Sequence, residues 1–254
     1  MKFSVFSKSV VGYKNIIKNK SSQDYLKFEN IEDGLICAVA DGHSGEFFTN
    51  SDLGSKFACE VTIEILKKYA DEDISKIEEL LDNETLQKEI CNGWRVLVEQ
   101  DMKKSLPAVF KYNYFVYGTT LLGVMIKNDY IIYLKLGDGD ILIKQDNNIK
   151  KVLPSYNKNI VDCLAEEMAY DKMIYKVIRY DMNISNIIIY SDGFENSFGS
   201  YKSMVNEIDN TLIKYNKNIF SKMKLEKNYD KELSNLSKNG SLDDISIIFV
   251  NVSL

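Results

Sequence analysis

An apolar run that ends in an acidic residue lies near the start of the chain: Leu35-Ile36-Cys37-Ala38-Val39-Ala40-Asp41-Gly42-His43. A continuous apolar run of this length is typical of a strand that is covered by other layers on both faces. A carboxylate at the end of a buried strand costs free energy unless its charge is compensated. The glycine that follows lets backbone atoms and solvent approach closely. This stretch therefore predicts a buried strand that carries an acid into a site.

The same arrangement, an acid directly beside an apolar run, recurs along the chain. The further acids of this kind are Asp24, Asp138, Asp192 and Asp243. Each one alone is ambiguous, because Asp-Gly is a common turn dipeptide and a pair of acids is usually a solvated loop. Together they indicate a cation site, and ligands that are all oxygen suit hard ions such as Mg²⁺ or Mn²⁺.

The order of strand and helix signals predicts an α+β protein. Apolar runs predict strands at residues 35–40, 120–126, 130–136, 141–144, 187–190 and 245–252. Apolar residues at helical spacing predict helices in residues 52–66, 74–81, 90–97 and 204–212. Strands and helices come in blocks instead of alternating one by one, which favours antiparallel sheets packed by helices. No repeat or low-complexity linker divides the sequence, so we expect one continuous domain.

Composition narrows the class of protein. The chain has 254 residues and a formal charge of -5, so it lacks the basic excess of a general nucleic-acid binder. Its four cysteines are scattered without a C-x-x-C pair, which argues against a zinc or disulfide framework and fits a reducing compartment. Neither a signal-peptide core nor a transmembrane run is found. We therefore expect a cytoplasmic protein with no nucleic-acid and no membrane partner.

Six motifs carry a resemblance to a known family. In chain order they are Gln23-Asp24; Ala38-Val39-Ala40-Asp41-Gly42-His43-Ser44-Gly45 with Ser51-Asp52-Leu53-Gly54; Tyr117-Gly118-Thr119-Thr120; Leu136-Gly137-Asp138-Gly139-Asp140; Ile189-Tyr190-Ser191-Asp192-Gly193; and Gly240-Ser241-Leu242-Asp243-Asp244-Ile245-Ser246. They resemble the motifs of the metal-dependent (PPM, type 2C-like) protein serine/threonine phosphatases of the bacterial type. This resemblance implies a four-layer α-β-β-α sandwich, with two central antiparallel β-sheets flanked by helices. It also implies a single PPM-type phosphatase domain over residues 1–254.

The resemblance implies a binuclear metal centre. Asp41 would bridge two Mn²⁺ or Mg²⁺ ions, and the carbonyl of Gly42 would bind one of them. Asp192 and Asp243 would complete the shell of the other ion. Two such ions activate a water for in-line attack at phosphorus, so no phosphoenzyme is needed.

Three further residues receive roles from the same resemblance. Asp24 would be a catalytic residue that holds metal-bound waters, and Asp138 with Asp192 would support the third ion found in bacterial relatives. His43 is the single histidine of the chain, and two roles stay open for it. It would either protonate the leaving alkoxide as a general acid or only orient a ligand or water through a hydrogen bond.

The segment that should bind the substrate phosphate departs from the family pattern. Relatives commonly place an arginine or a histidine shortly before the N-terminal acid, and here Asn19 stands at the usual arginine spacing. We expect Lys18 or Lys20 to bind the phosphate instead, as point charges without the bidentate geometry of arginine. The alternative is that these lysines only form a solvated face.

Three functions are compatible with this pattern. The favoured one is a metal-dependent phosphoprotein phosphatase that hydrolyses phosphoserine or phosphothreonine in a phosphorylated protein substrate, opposed by a cognate serine/threonine kinase. The alternative is a catalytically silent or regulatory phosphatase-like domain that binds a phosphoprotein partner, and the altered phosphate-binding segment supports it. Hydrolysis of a small phosphoester metabolite would use the same site.

Two segments carry no chemical motif. Residues 145–185 show no decisive pattern, although in relatives this region carries a mobile flap near the site. The lysines within residues 212–231 are expected to form an exposed helical face instead of a docking patch.

Overall fold

The computed structural model describes residues 1–105, 113–146, 148–155 and 161–253. The strands are β1 (Lys2–Val10), β2 (Asp24–Ile31), β3 (Gly34–Asp41), β4 (Leu121–Lys127), β5 (Tyr130–Leu136), β6 (Asp140–Gln145), β7 (Asn148–Lys151), β8 (Ile174–Arg179), β9 (Ile184–Tyr190) and β10 (Ile245–Ser253). The α-helices are α1 (Tyr13–Ile16), α2 (Ser51–Lys68), α3 (Ile74–Asp82), α4 (Thr85–Ser105), α5 (Ala169–Lys172), α6 (Asp192–Asn196), α7 (Tyr201–Lys217) and α8 (Ile219–Asn239), and a 3₁₀ helix covers Tyr114–Tyr117. None of the helices in these ranges is long and apolar enough to cross a membrane.

The strands form two five-stranded antiparallel sheets. One sheet has the order β1-β10-β9-β6-β7 and the other has the order β2-β3-β4-β5-β8. Apolar residues from both sheets meet in a core between them. Helices α2, α3 and α4 pack on the outer face of the β3 sheet, and α7 and α8 pack on the outer face of the β10 sheet. This is the four-layer α-β-β-α sandwich that the family resemblance implies.

The position of β3 explains why its sequence is continuously apolar. Its odd-numbered residues, Leu35 to Val39, face the core between the sheets. Its even-numbered residues, Ile36 to Ala40, face helices α2 and α4 instead. Because successive side chains of a strand point to opposite faces, both sets are buried. Fully burying a side chain as large as leucine contributes about 1.5–3 kcal/mol.

Four strands were not predicted from the sequence. They are β1, β2, β7 and β8, and each lies at the edge of its sheet. Most of their residues are only partly buried or exposed. An edge strand has less of its surface covered, so its sequence lacks the apolar run that marks a central strand.

The glycine-rich connection between β5 and β6 passes from one sheet to the other. The strand β5 pairs with β4 and β8, whereas β6 pairs with β7 and β9. Gly137 begins this turn with a φ of 98°, which a residue without a Cβ adopts at no steric cost. Asp138-Gly139, a common turn dipeptide, lies in this connection, which joins the two layers and is not a hairpin within one sheet. By contrast, Asn128-Asp129 does join the antiparallel neighbours β4 and β5.

Candidate metal centre

Five predicted ligand residues lie at the same end of the two sheets. Asp24 begins β2 and Asp41 ends β3, and the two are direct cross-strand partners. Asp138 lies in the turn before β6, Asp192 begins α6 directly after β9, and Asp243 shortly precedes β10. The antiparallel order of the strands brings these ends together. The two sheets therefore converge on one group of carboxylates.

The carboxylates interact strongly enough to change one another's pKa. Burial, and then the charges of Asp24 and Asp192, raise the pKa of Asp41 well above its ordinary value. Burial and the charge of Asp244 raise the pKa of Asp24 to about 8. Burial and the charge of Asp192 raise the pKa of Asp138 to about 6. Like charges in a buried site disfavour ionisation, and a bound cation would reverse this effect.

Two carboxylate oxygens of this group are buried and have no hydrogen-bond partner among the described residues. They are Oδ1 of Asp24 and Oδ1 of Asp192. The second oxygen of each of these two carboxylates accepts a hydrogen bond. Ser191 Oγ donates to Asp24 Oδ2 at 2.6 Å, and Asn196 Nδ2 donates to Asp192 Oδ2 at 2.8 Å. A buried oxygen without a partner is costly, and a hard cation is a suitable partner for it.

The acids do not form a closed ligand cage. No group of three or more His, Cys, Asp or Glu side chains in the part of the chain that the structure describes has the geometry of a metal site. A lysine neutralises one of the predicted ligands instead, since Lys14 Nζ lies 2.6 Å from Asp243 Oδ1. The residues thus fit a divalent ion in charge and donor type, and an ion would have to draw them together and displace Lys14 from Asp243.

Lys14 is a site residue that the sequence analysis did not identify. It lies on α1, and besides Asp243 its ammonium group contacts Ser44 Oγ at 3.2 Å. Partial burial lowers the pKa of Lys14, but the hydrogen bond to Asp243 together with the charges of Asp243, Asp41 and Asp244 raises the pKa overall. Lys18 and Lys20 are both exposed and make no ion pair in the described ranges. Their part in phosphate binding remains a prediction.

Asp244 anchors the N-terminal segment to β10. Its Oδ1 accepts a hydrogen bond from Gly12 N at 2.5 Å, and its Oδ2 accepts one from Gln23 N at 2.7 Å. Asn15 Nδ2 donates to both oxygens, at 3.1 and 3.0 Å. Because both oxygens are occupied by donors, Asp244 offers no free ligand atom. It instead fixes the segment that carries Lys14 beside the acids.

The Gly-Thr-Thr motif holds the end of β3. Thr119 Oγ1 and Thr120 N donate to the carbonyl of Asp41 at 3.0 and 2.9 Å, and Asp41 N donates to Thr120 Oγ1 at 3.1 Å. Gly42 continues this arrangement, because its N–H donates to the carbonyl of Gln23 at 3.0 Å. A Cβ on Gly42 would lie 2.5 Å from a backbone carbonyl oxygen of α2. Only glycine allows this close approach, so the backbone at the predicted ligand Gly42 is fixed.

The ring of His43 packs against an aromatic neighbour. Its centroid lies 5.1 Å from that of Phe48, in an edge-to-face arrangement. Burial lowers the pKa of His43, and the charge of Glu166 opposes this effect only in part. A neutral imidazole is a poor proton donor, so this environment favours the orienting role over the general-acid role. Both roles remain predictions.

Gly193 allows α6 to pack directly on the residues before β10. A Cβ at this position would lie 2.0 Å from the backbone oxygen of Asp244 and 3.2 Å from Cβ of Asp243. The contact fixes Asp192 relative to Asp243. Any side chain here would therefore push two predicted ligands apart.

We expect Gly193→Ala to lower the free energy of unfolding by about 2 kcal/mol, since the clash is with backbone and cannot be relieved by a rotamer change. It should also weaken the thermal stabilisation of the protein by Mn²⁺. Gly199→Ala is the matched control, because nothing lies within 4 Å of its Cβ position. Urea unfolding should show a change within about 0.5 kcal/mol for this control. Equal losses for both variants would contradict the role of this contact.

Comparisons with known proteins agree with this architecture. The family model described as "Protein phosphatase 2C" matches residues 11–230. The serine/threonine phosphatase Stp1 from Staphylococcus aureus is similar over 100% of this chain and 96% of its own, with 15% identity and a TM-score of 0.68. A serine/threonine phosphatase from S. agalactiae is similar over 99% of this chain and 100% of its own, with 19% identity and a TM-score of 0.63.

A third solved structure is similar and holds metal. The catalytic domain of the serine threonine protein phosphatase PstP, in complex with two manganese ions, covers 99% of this chain and 99% of its own at 15% identity, with a TM-score of 0.61. A search of curated proteins found no match. The family match and these neighbours confirm the resemblance, the fold class and the enzyme class that the motifs predict.

Proposed function

Because the chain belongs to the protein phosphatase 2C family, we propose that it hydrolyses phosphoserine and phosphothreonine in protein substrates at a binuclear Mn²⁺ or Mg²⁺ centre. The observation that supports this most is the group of carboxylates from both sheets, two of whose buried oxygens have no partner among the described residues. Asp41, the carbonyl of Gly42, Asp192 and Asp243 would hold the two ions. Asp138 with Asp192 would support a third.

The ions would supply positive charge to the phosphoryl oxygens and activate a water for in-line attack. Asp24 would orient that water, because Ser191 holds its Oδ2 and leaves its buried Oδ1 for a further hydrogen bond. Neutral His43 would orient a ligand or water. Its alternative role is protonation of the leaving alkoxide.

A phosphorylated protein and a cognate serine/threonine kinase would be the partners of this reaction. The substrate would be met in the cytoplasm, since the four cysteines are free thiols and buried, as in a reducing compartment.

Lys14 is the cation best placed to receive the substrate phosphate. Its ammonium group contacts Asp243 Oδ1 and Ser44 Oγ, and its side chain is 26% exposed, so a substrate can reach it. An ion that engages Asp243 would free this ammonium for a phosphate monoester. Lys14 would then take the part that the sequence predicts for Lys18 or Lys20.

We expect Lys14→Met to raise the KM for a phosphopeptide about tenfold while kcat changes less, since a charged hydrogen bond to the ground state is lost. Steady-state kinetics at saturating Mn²⁺ measure both constants. Lys18→Met and Lys20→Met serve as controls, with an expected change in KM of less than about twofold. If Lys18→Met or Lys20→Met raises KM about tenfold and Lys14→Met does not, the prediction from the sequence is right and the role of Lys14 is refuted.

The function itself is tested by phosphate release. Phosphoserine and phosphothreonine peptides should be hydrolysed with Mn²⁺ or Mg²⁺ and not in the presence of a chelator. Small phosphoester metabolites, offered at equal concentration, should be hydrolysed more slowly, and a reversed preference would favour a metabolite phosphatase. Weak hydrolysis of p-nitrophenyl phosphate that is unchanged by Asp192→Ala would instead favour the silent, phosphoprotein-binding domain.

A further inference from the structure

The turn between α7 and α8 ends in an exposed apolar tip, which we define as residues 213–227. Four large apolar side chains of the tip lie in solvent: Ile213 is 57% exposed, Ile219 63%, Phe220 80% and Met223 59%. Single exposed apolar residues are normal on a protein surface, whereas a group of four marks an interaction surface. The proposed phosphatase chemistry makes no use of it.

The same tip carries a concentrated positive charge. It contains Lys214, Lys217, Lys222, Lys224 and Lys227, with Glu226 as its single acid, a local charge of +4 in a chain of net charge -5. Lys222 lies 3.9 Å from Glu226. The other four lysines are exposed and make no ion pair with any residue that the structure describes. This separation of charge favours a negatively charged partner.

The fold presents the apolar and basic side chains on one face. Leu225, Tyr229 and Leu233 form the buried face of α8. With 3.6 residues per turn, the remaining positions from 219 to 227 that are exposed lie on the opposite side of the helix. Lys214 of α7 and Lys224 of α8 also line a shared cavity of about 310 Å³. The exposed lysines of α8 therefore share a face with its exposed apolar residues, and Lys214 adds positive charge from α7.

We propose that this tip docks on an anionic phospholipid surface. The side chains of Ile219, Phe220 and Met223 enter the boundary between headgroups and acyl chains, and the lysines contact the headgroup phosphates. The tip is the convex end of a helical hairpin, which a deformable bilayer accepts without a complementary groove. Lysine is also a hydrated point charge that suits a diffuse layer of phosphates, whereas a bidentate protein contact favours arginine. The proposal departs from the sequence-based expectation that the chain has no membrane partner.

The tip lies far from the carboxylate group. Helix α7 starts shortly after Asp192 and has 17 residues, and α8 returns to end shortly before Asp243. At about 1.5 Å per residue, the end of α7 within the tip lies roughly 25 Å from the start of the helix near the site. Docking would therefore leave the site open to substrate, and variants of the tip should keep their activity on a phosphopeptide.

Co-sedimentation with vesicles tests the proposal. The full chain should sediment with phosphatidylcholine vesicles that contain phosphatidylglycerol, should stay in solution with pure phosphatidylcholine, and should be released as salt is added. The double variant Lys224→Glu/Lys227→Glu should lower the partition coefficient at least about 30-fold, since each lysine contributes about fivefold near an anionic surface. Phe220→Ser should lower it about tenfold through lost insertion of the ring.

The matched control is Lys150→Glu/Lys176→Glu, which changes the net charge equally at exposed positions of β7 and β8. It should change binding by less than about threefold. Unchanged phosphopeptide hydrolysis and an unchanged melting temperature verify that all variants are folded. Vesicle binding is measured as the fraction of protein that sediments, so it tests this proposal whether or not the chain is a phosphatase.

Three outcomes would overturn the proposal. The first is a wild-type chain that remains in solution with anionic vesicles at low salt. The second is a control variant that loses as much binding as the tip variants, which would assign binding to overall charge. Sedimentation of the chain as a dimer that Phe220→Ser dissociates, without vesicle binding, would assign the tip to a second copy of the chain.

Discussion

Asp41→Asn is expected to lower kcat for phosphopeptide hydrolysis about 1000-fold and, at the same time, to raise the melting temperature of the metal-free protein. Asp41 lies at the centre of the carboxylate group, and its pKa is raised by burial and by the charges of Asp24 and Asp192. As the proposed bridging ligand it would contribute to both ions, so its loss should remove most of the electrostatic catalysis. Without ions its charge only repels its neighbours, so an isosteric neutral group relieves that repulsion.

Steady-state hydrolysis and scanning calorimetry measure the two effects. Calorimetry in chelator should show a melting temperature for Asp41→Asn that is higher by about 5 °C. Added Mn²⁺ should stabilise the wild-type protein, because the ion binds the native state, and should not stabilise the variant. Asp71→Asn, which changes an exposed acid between α2 and α3, should leave activity and melting temperature as they are. A variant at Asp41 that keeps its response to Mn²⁺ would show that this residue is no ligand.

Asp244→Ala is expected to lower the free energy of unfolding by about 4 kcal/mol, the largest loss of stability among the substitutions considered. The backbone N–H groups of Gly12 and Gln23 and the side-chain amide of Asn15 all donate to its carboxylate. Each bond to a charged acceptor contributes about 1.5–3 kcal/mol, and the donors left behind are buried or partly buried without a partner. Relief of the repulsion between Asp244 and Asp24 offsets a smaller part of this loss.

Urea unfolding in the presence of a chelator measures this loss without a contribution from bound ions. Asp230→Ala is the matched control. The carboxylate of Asp230 is also paired, with Lys8 Nζ at 2.8 Å, but this pair lies at the surface. An exposed ion pair contributes less than about 1 kcal/mol, so the control should remain close to wild type. Similar losses for the two variants would show that Asp244 is not an anchor. The Mn²⁺ concentration needed for half-maximal activity should also rise in Asp244→Ala, since the segment that carries Lys14 loses its attachment.

The central strands were predictable because burial on two faces leaves a local trace. In β3 every residue from Leu35 to Ala40 is apolar, since one half packs between the sheets and the other half packs under the helices. The four edge strands β1, β2, β7 and β8 leave no such trace, because solvent covers part of their surface. Their assignment depends on pairing with a distant neighbour, as Phe6 in β1 pairs with Phe249 in β10.

The residues of the candidate site also divide into those that the sequence indicates and one that only the structure identifies. The acids could be identified because each stands beside an apolar run and within a family motif, and both features are local. Lys14 could not be distinguished from Lys18 and Lys20, because nothing in the adjacent sequence separates the three. Its contact is with Asp243, which lies 229 positions away, and only the folded chain brings them together.

The amino-acid sequence by itself determined which strands are buried, which acids stand at their ends, and which family the motifs resemble. These are properties of neighbouring residues. Burial of a strand on both faces leaves a continuous run of apolar residues, and a turn needs particular residues next to one another. The tertiary structure alone decided which acids face one another, which lysine neutralises them, and that the α7–α8 tip is both apolar and basic on one exposed face. Those facts follow from packing between distant segments, since electrostatic and packing contacts depend on distance in space and not on distance along the chain.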